Sequence, residues 1–192
     1  MLNLKHKIIL ASKSPRRSHL LQQAGIPFEI RTQDVEEDFP EDMPVAEVAE
    51  FLARKKAQEV SKSMAEDEII ITADSTVVLG DAIFNKPADF EDAVRILGHL
   101  SGQIHQVYTG VCLWSKAHQK SFTACSNVHM ETLSLEEIHY YVEHYKPYDK
   151  AGAYAIQEWI GMCKISKIEG TYINIMGLPV DLVYKYLKEW PA

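Results

Sequence analysis

The sequence predicts an α/β fold, a mixed sheet with flanking helices, and three observations lead to it. The first 32 residues pass from a strand through a helix into a second strand. Strand-like and helix-like segments then intermix without a strict β-α-β-α alternation, and two long strand-like runs follow each other near the middle of the chain. With 192 residues, 46% hydrophobic and 24% charged, the chain has the apolar mass for one domain over residues 1–192 whose core needs no staple.

Taken in order, residues 7–11 read as an apolar strand, 15–24 as a helix closed by Gly25, and 27–32 as a second strand. Ser14 is placed to cap that helix, with Pro15 at its first position. An acidic, proline-containing loop covers 34–44, and residues 45–64 carry Val45, Val48, Ala49, Leu52, Ala53, Ala57 and Val60 at helical spacing. Residues 68–73 form a β-branched run that delivers Asp74 to the carboxyl end of a strand. Residues 76–79 and 83–84 flank Gly80-Asp81 as a hairpin. Residues 90–100 read as a helix, and 103–114 and 121–133 as long strands joined by the polar turn 115–120. Ser134 caps a helix through His144, with Glu137 completing a capping box. A strand-like segment over 161–168, a segment over 172–178 and a terminal helix from Pro179 to about Lys188 finish the chain.

Charge and composition exclude several classes. The net charge is −7, so no sequence-independent nucleic-acid surface is expected, and anion binding has to be local. No apolar run approaches the length of a membrane span and no secretory signal is evident, which makes a cytoplasmic, membrane-free protein the default. Cys112, Cys125 and Cys163 make no C-x-x-C pair and read as reduced core residues. The eight histidines show no zinc spacing. The oligomeric state stays open, a homodimer being the commonest choice.

Chemistry concentrates where elements end. The run Ile8-Ile9-Leu10-Ala11-Ser12-Lys13-Ser14-Pro15-Arg16-Arg17 leads from a buried strand through a polar loop into a helix that opens with two arginines. A helix N-terminus already carries about half a positive elementary charge, so cations there are disfavoured unless an anion joins them. Backbone amides, the Ser12 and Ser14 hydroxyls and the guanidinium groups of Arg16 and Arg17 can converge on one phosphate. The plainer alternative is a surface helix with two solvated arginines. Neither a P-loop nor a Gly-x-Gly-x-x-Gly motif occurs.

Three other groups add to this loop: Glu36-Glu37-Asp38, Thr72-Ala73-Asp74-Ser75-Thr76 and Asn85-Lys86-Pro87. Cleaving a phosphoanhydride needs cations to offset charge, an activated water and oxygen ligands for a metal, and this set has the side chains that could provide them. Each group also has a structural explanation. Asp74 fits an Asx turn, residues 36–38 a solvated acidic loop, and Lys86 a hairpin flank.

In their order along the chain these blocks resemble the Maf-like nucleoside triphosphate pyrophosphatases. The resemblance is carried by Leu10 to Arg17 with Leu20-Leu21, Val35-Glu36-Glu37, Leu52-Ala53-Arg54-Lys55-Lys56-Ala57, Thr72-Ala73-Asp74 and Asn85-Lys86-Pro87. It continues through Leu100-Ser101-Gly102, His105 to Gly110, residues 149–157 and Asn174 to Pro179. It implies an inosine-triphosphatase-like (Maf/Ham) architecture, elongated and two-lobed, with Ser12, Arg16, Glu37, Lys56, Asp74 and Lys86 in a central cleft. It further implies that Asp74 is the proton acceptor and that Arg16, Ser75 and Gln157 bear on substrate choice. Residues 149–157 resemble the dTTP and UTP subgroup rather than the 7-methyl-GTP subgroup. Ser75 departs from the threonine usual there, keeping the hydroxyl and losing a methyl.

The expectation that follows is hydrolysis of dTTP and UTP, or modified pyrimidine nucleotides, to monophosphate and pyrophosphate. Asp74 would activate water, Glu37 and Asp74 would hold Mg²⁺ or Mn²⁺, and Arg16, Lys56 and Lys86 would offset charge on the leaving group. Gln157 would read the edge of the base. Two alternatives stand beside it: a 7-methyl-GTP pyrophosphatase, and a nucleotide-binding regulator of septum formation without turnover.

Overall fold

The computed structural model describes residues 5–191. β1 (Lys7–Leu10) leads through α1 (Pro15–Gln23) to β2 (Glu29–Ile30), which pairs parallel to β1 with Ile9 opposite Glu29. The strand expected over 27–32 thus shrinks to two residues. Both are exposed at the sheet edge, and Pro27 brings no N–H to the ladder, so nothing rewards a longer pairing. After the acidic loop comes α2 (Val45–Ser61), then β3 (Glu68–Leu79), β4 (Ala82–Phe84) and α3 (Phe90–Leu100). β5 (Ile104–Trp114), β6 (Gln119–Met130), α4 (Leu135–Tyr145), α5 (Trp159–Cys163), β7 (Ile165–Glu169), α6 (Tyr172–Ile175) and α7 (Val180–Lys188) complete the order. The sheet runs β2-β1-β3-β5-β6-β7, with β4 hairpinned onto β3 through Gly80-Asp81. Parallel β1–β2 and β1–β3 pairs beside antiparallel β3–β4 and β6–β7 pairs make the sheet mixed, as the irregular alternation of elements predicts.

The chain divides into two units, the first made of Met1–Asp74, Thr109–Ala124 and Gly177–Ala192, the second of Ser75–Tyr108 and Cys125–Met176. In the first unit Ile9, Ala11, Val60, Met64 and Ile70 form one apolar cluster, and Ala53, Ala57 and Cys112 another, with Trp114 packed against both. In the second, Val77, Phe84, Leu97, Leu100, Tyr141 and Ile160 lie in a single core.

Three devices fix α2 within the first unit. Gly110 on β5 lies so close that a Cβ there would meet Glu50 N at 2.2 Å. Thr72 on β3 donates its hydroxyl to the Ala53 carbonyl at 2.7 Å. The Glu50 carboxylate accepts from Ser121 at 2.6 Å and from Thr123 at 2.8 Å. Packing of the Val48, Ala49, Leu52, Ala53, Ala57 and Val60 stripe supplies the rest.

Three expectations are corrected. β3 does not end before Asp74 but runs through it to Leu79, because residues 68–74 are all buried and leaving the ladder would strand their amides. Cys125 and Cys163 are exposed, and only Cys112 is a core thiol. The strand expected over 161–168 is a helical turn followed by β7. Lys164 N donates to Ile160 O at 2.8 Å to close that turn, which seats Ile160 in the core.

Candidate functional site

In the first unit, β1 gives way to a loop that carries the parallel register one step further, Ala11 N donating to Ile71 O at 2.9 Å. Ser12 follows, buried, and its hydroxyl accepts the Ser14 amide at 3.2 Å, so Ser12 shapes the turn into α1. Ser14 occupies the N-cap with extended dihedrals and Pro15 the first turn, as expected, but the Ser14 side chain makes no capping bond.

The two arginines part company. Arg16 is half-buried on the first turn. Arg17 turns inward, its Nε donating to Gly177 O at 2.8 Å and its Nη1 to Ala73 O at 2.7 Å and Ser12 Oγ at 3.3 Å. Burial pushes the Arg17 pKa down, opposed chiefly by the nearby Asp74 carboxylate. Its fork grips the backbone of the residue that precedes Asp74. Helical spacing is the signal that finds this, since Arg17 lies three and four residues before the buried Leu20 and Leu21.

Asp74 lies within β3, just past the stretch paired with β1, where Leu10 faces Ile71. Lys56, projecting from α2, donates to Asp74 Oδ1 and to Glu37 Oε1, the latter at 2.6 Å. Lys56 and Asp74 side chains are 18% and 13% exposed against 49% for Glu37, so the cluster has a dry side and a wet side. The acidic loop is engaged by lysines along its length, Lys13 pairing with Asp34, Lys56 with Glu37 and Lys55 with Asp38. These pairs tie its side chains to the turn before α1 and to α2, while Asp34 and Asp38 stay largely exposed.

Ser12, Arg17, Glu37, Lys56 and Asp74 are thus gathered within one unit, with Ser14 and Arg16 on the adjoining turn. Ser75, Lys86 and Gln157 belong to the second unit. There Ser75 is half-buried on β3, and Lys86 is exposed just beyond β4. Asn85 O accepts the Gly152 amide at 3.3 Å, which draws the Lys86 segment to the block 149–157. Gln157 is partly buried, and its Oε1 is buried without a hydrogen-bond partner.

Among the described residues no cluster of three or more His, Cys, Asp or Glu side chains forms a metal-ligating group. Glu37 and Asp74 nevertheless converge on one cationic atom, Lys56 Nζ, as a hard all-oxygen pair. None of the helices of the described residues is long and apolar enough to cross a membrane. The arrangement offers an acceptor carboxylate in a rigid strand, an ammonium able to exchange partners, and a helix start with cations beside it.

The Maf-like protein family profile matches residues 7–190 of the chain. A Bacteroides thetaiotaomicron protein named dTTP/UTP pyrophosphatase is 48% identical over 186 residues, covering 96% of both chains. A Porphyromonas gingivalis protein of the same name is 48% identical over 189 residues, 97% of this chain and 95% of its own length. Among solved structures, the Staphylococcus aureus Ham1 protein superimposes with a TM-score of 0.47 at 14% identity, over 65% of this chain and 71% of that one.

Proposed function

The chain belongs to the Maf-like protein family, and from that premise we propose that it hydrolyses dTTP and UTP to the monophosphate and pyrophosphate. The observation that carries the chemistry is Lys56 spanning Glu37 and Asp74, beside an arginine that fixes the backbone at Ala73.

Water attacks the α-phosphorus, a P–O bond forms, the bridging α–β P–O bond breaks, and pyrophosphate leaves with the electron pair. The water proton goes to Asp74. A carboxylate offers about four acceptor positions, so accepting from Lys56 at Oδ1 leaves capacity for that proton. Lys56, Arg16 and Lys86 offset the charge that grows on the phosphate oxygens, while Ser12 and Ser14 shape the anion loop. Arg17 acts on Asp74 through the Ala73 carbonyl.

Glu37 and Asp74 are the residues that would hold Mg²⁺ or Mn²⁺, since Mg²⁺ takes one or two carboxylates together with substrate phosphates. Bound there, the ion would polarise phosphate oxygens and lower the pKa of bound water. Gln157 supplies the amide that pairs with the pyrimidine edge, and Ser75 lines the same pocket with less bulk than threonine. The same reading takes residues 1–192 as one functional domain, cytoplasmic and acting on a small nucleotide.

Purified chain given dTTP, UTP, dATP, dGTP and 7-methyl-GTP, with Mg²⁺, Mn²⁺ or chelator, tests this by monophosphate and pyrophosphate release. Expected is metal-dependent turnover of dTTP and UTP ahead of the purines. Absent turnover supports a binding-only regulator, and a 7-methyl-GTP preference supports the other subgroup; either overturns the proposal.

A further inference from the structure

We propose that Tyr141 is a positioning residue for substrate selection, its hydroxyl holding the Ala155 amide before Gln157 and the Glu158 side chain after it. This rests on the assignment of base reading to Gln157 made above.

Tyr141 lies on α4 with its ring wholly buried and stacked on Tyr145 at 4.8 Å between centroids. Its hydroxyl accepts the Ala155 amide at 3.1 Å and donates to the Glu158 carboxylate. Lys150 Nζ approaches the other Glu158 oxygen at 3.5 Å and Asp149 at 2.7 Å. Burial, then the Glu158 carboxylate, pushes the Tyr141 pKa upward, so the phenol keeps its proton and its donor role at any working pH.

The rest of the segment is fixed as well. Tyr154 shares a buried hydrogen bond with His105 Nε2 at 2.8 Å. A Cβ on Gly161 would stand 1.7 Å from Ile156 O, so only glycine lets α5 fold back over that carbonyl. Ala153 holds a left-handed φ of 57°, a conformation that persists in a non-glycine residue only where its surroundings enforce it. Residues 154, 155, 156 and 158 are therefore each tied to the unit's interior. Gln157 is the residue between them whose amide oxygen is buried and without a partner. The clamp presents that amide.

The network also carries stability, since Tyr141→Phe strands the buried Ala155 amide and one Glu158 oxygen, while the Lys150–Glu158 pair taken out of water recovers little net energy. What such a network does well is hold one backbone conformation.

The test measures kcat and KM for dTTP and dATP with the wild type, Tyr141→Phe, Gln157→Ala and the double variant, with melting temperatures alongside. Tyr141→Phe is expected to lower the dTTP-to-dATP ratio of kcat/KM about tenfold, mainly through KM for dTTP, with kcat within about twofold. In the Gln157→Ala background the same change is expected to leave the ratio where Gln157→Ala alone puts it. An unchanged ratio in Tyr141→Phe, an equal loss for both nucleotides, or a further fall in the double variant would overturn the proposal while leaving Gln157 in place. An unchanged ratio in Gln157→Ala removes the base-reading assignment and this role with it. If Tyr141→Phe does not fold, Glu158→Gln weakens the same bond and the Lys150 pair, and its ratio is expected to fall about threefold; a wild-type ratio there overturns the proposal.

Discussion

Replacing Arg17 with lysine separates two uses of a cation at the head of α1, ligating phosphate and holding the protein's own backbone. The guanidinium donates to Ala73 O at 2.7 Å, Gly177 O at 2.8 Å and Ser12 Oγ at 3.3 Å. A lysine ammonium is a point donor on a flexible stem and meets one of the two carbonyls but not both in that fork geometry. Hydrogen bonds from a charged group are worth roughly 1.5–3 kcal/mol each, and a carbonyl left underused adds to the loss, so Arg17→Lys should cost about 2–4 kcal/mol. For a chain of this size that corresponds to a fall of roughly 4–16 °C in Tm. Loosening Ala73 also loosens Asp74, and misplacing a reacting group by about 1 Å costs on the order of 100-fold in rate. Thermal unfolding by circular dichroism and steady-state kinetics with dTTP give both readouts. Expected is a lower Tm with a reduced kcat and a KM little changed. A Tm within about 1 °C of the parent together with a raised KM would refute the reasoning and return Arg17 to the phosphate.

Asp74→Asn keeps an acceptor for Lys56 but cannot take the proton, so turnover of dTTP should fall about 10²–10⁴-fold with a native melting profile; near-normal turnover removes Asp74 from the chemistry. Glu68, 7% exposed, accepts both arms of the Arg31 fork at 2.6 and 2.8 Å, and that pairing holds its pKa at about 2 rather than 4.5. The depressed value means the pair stabilises fully above about pH 4.5 and loses its contribution as pH falls from there towards 2. The full shift corresponds to about 3 kcal/mol, which solvent around the partly exposed Arg31 reduces to roughly 1–2 kcal/mol. Glu68→Gln should therefore melt below the wild type at pH 7 by a margin that narrows between pH 5 and pH 3; an equal margin at both ends contradicts the assignment. Gly110→Ala places a Cβ 2.2 Å from Glu50 N and 2.3 Å from Ala49 C, so α2 must shift at a cost of about 1–3 kcal/mol or more, and Lys56 shifts with it. Tm and kcat should fall together, and preservation of both would mean that α2 is not seated by this approach.

Elements whose signals are local were legible in the sequence. Ser134 and Glu137 make both bonds of the capping box, at 3.2 and 2.8 Å, and Pro15 opens α1 from its first turn. Elements decided by what lies across the sheet were not. Asp74-Ser75-Thr76 has the composition of a turn, yet the ladder carries it as strand because its neighbours are buried on every side. Cys125 reads as a core thiol by type. The alternation of Phe122, Val128 and Met130 nevertheless assigns the inward face to even positions of β6, so Ser126 is buried and bonded to Asn174 and Cys125 points out.

The candidate site divides along the same line. Its charged groups were visible because carboxylates and cations are chemically conspicuous in a sequence, but their convergence depends on residues outside the candidate site. Lys56 reaches Asp74 because Gly110, Thr72 and Glu50 seat α2 against β3, β5 and β6, and none of those residue types announces that task. Arg16 and Arg17 show the limit most sharply, being identical in type and adjacent. What separates them is about 100° of helix rotation, which aligns Arg17 with the buried Leu20 and Leu21 and turns its fork onto Ala73 O and Gly177 O. Composition points to an anion site at this turn; only the phase of the helix shows that Arg17 is engaged by the protein's own backbone.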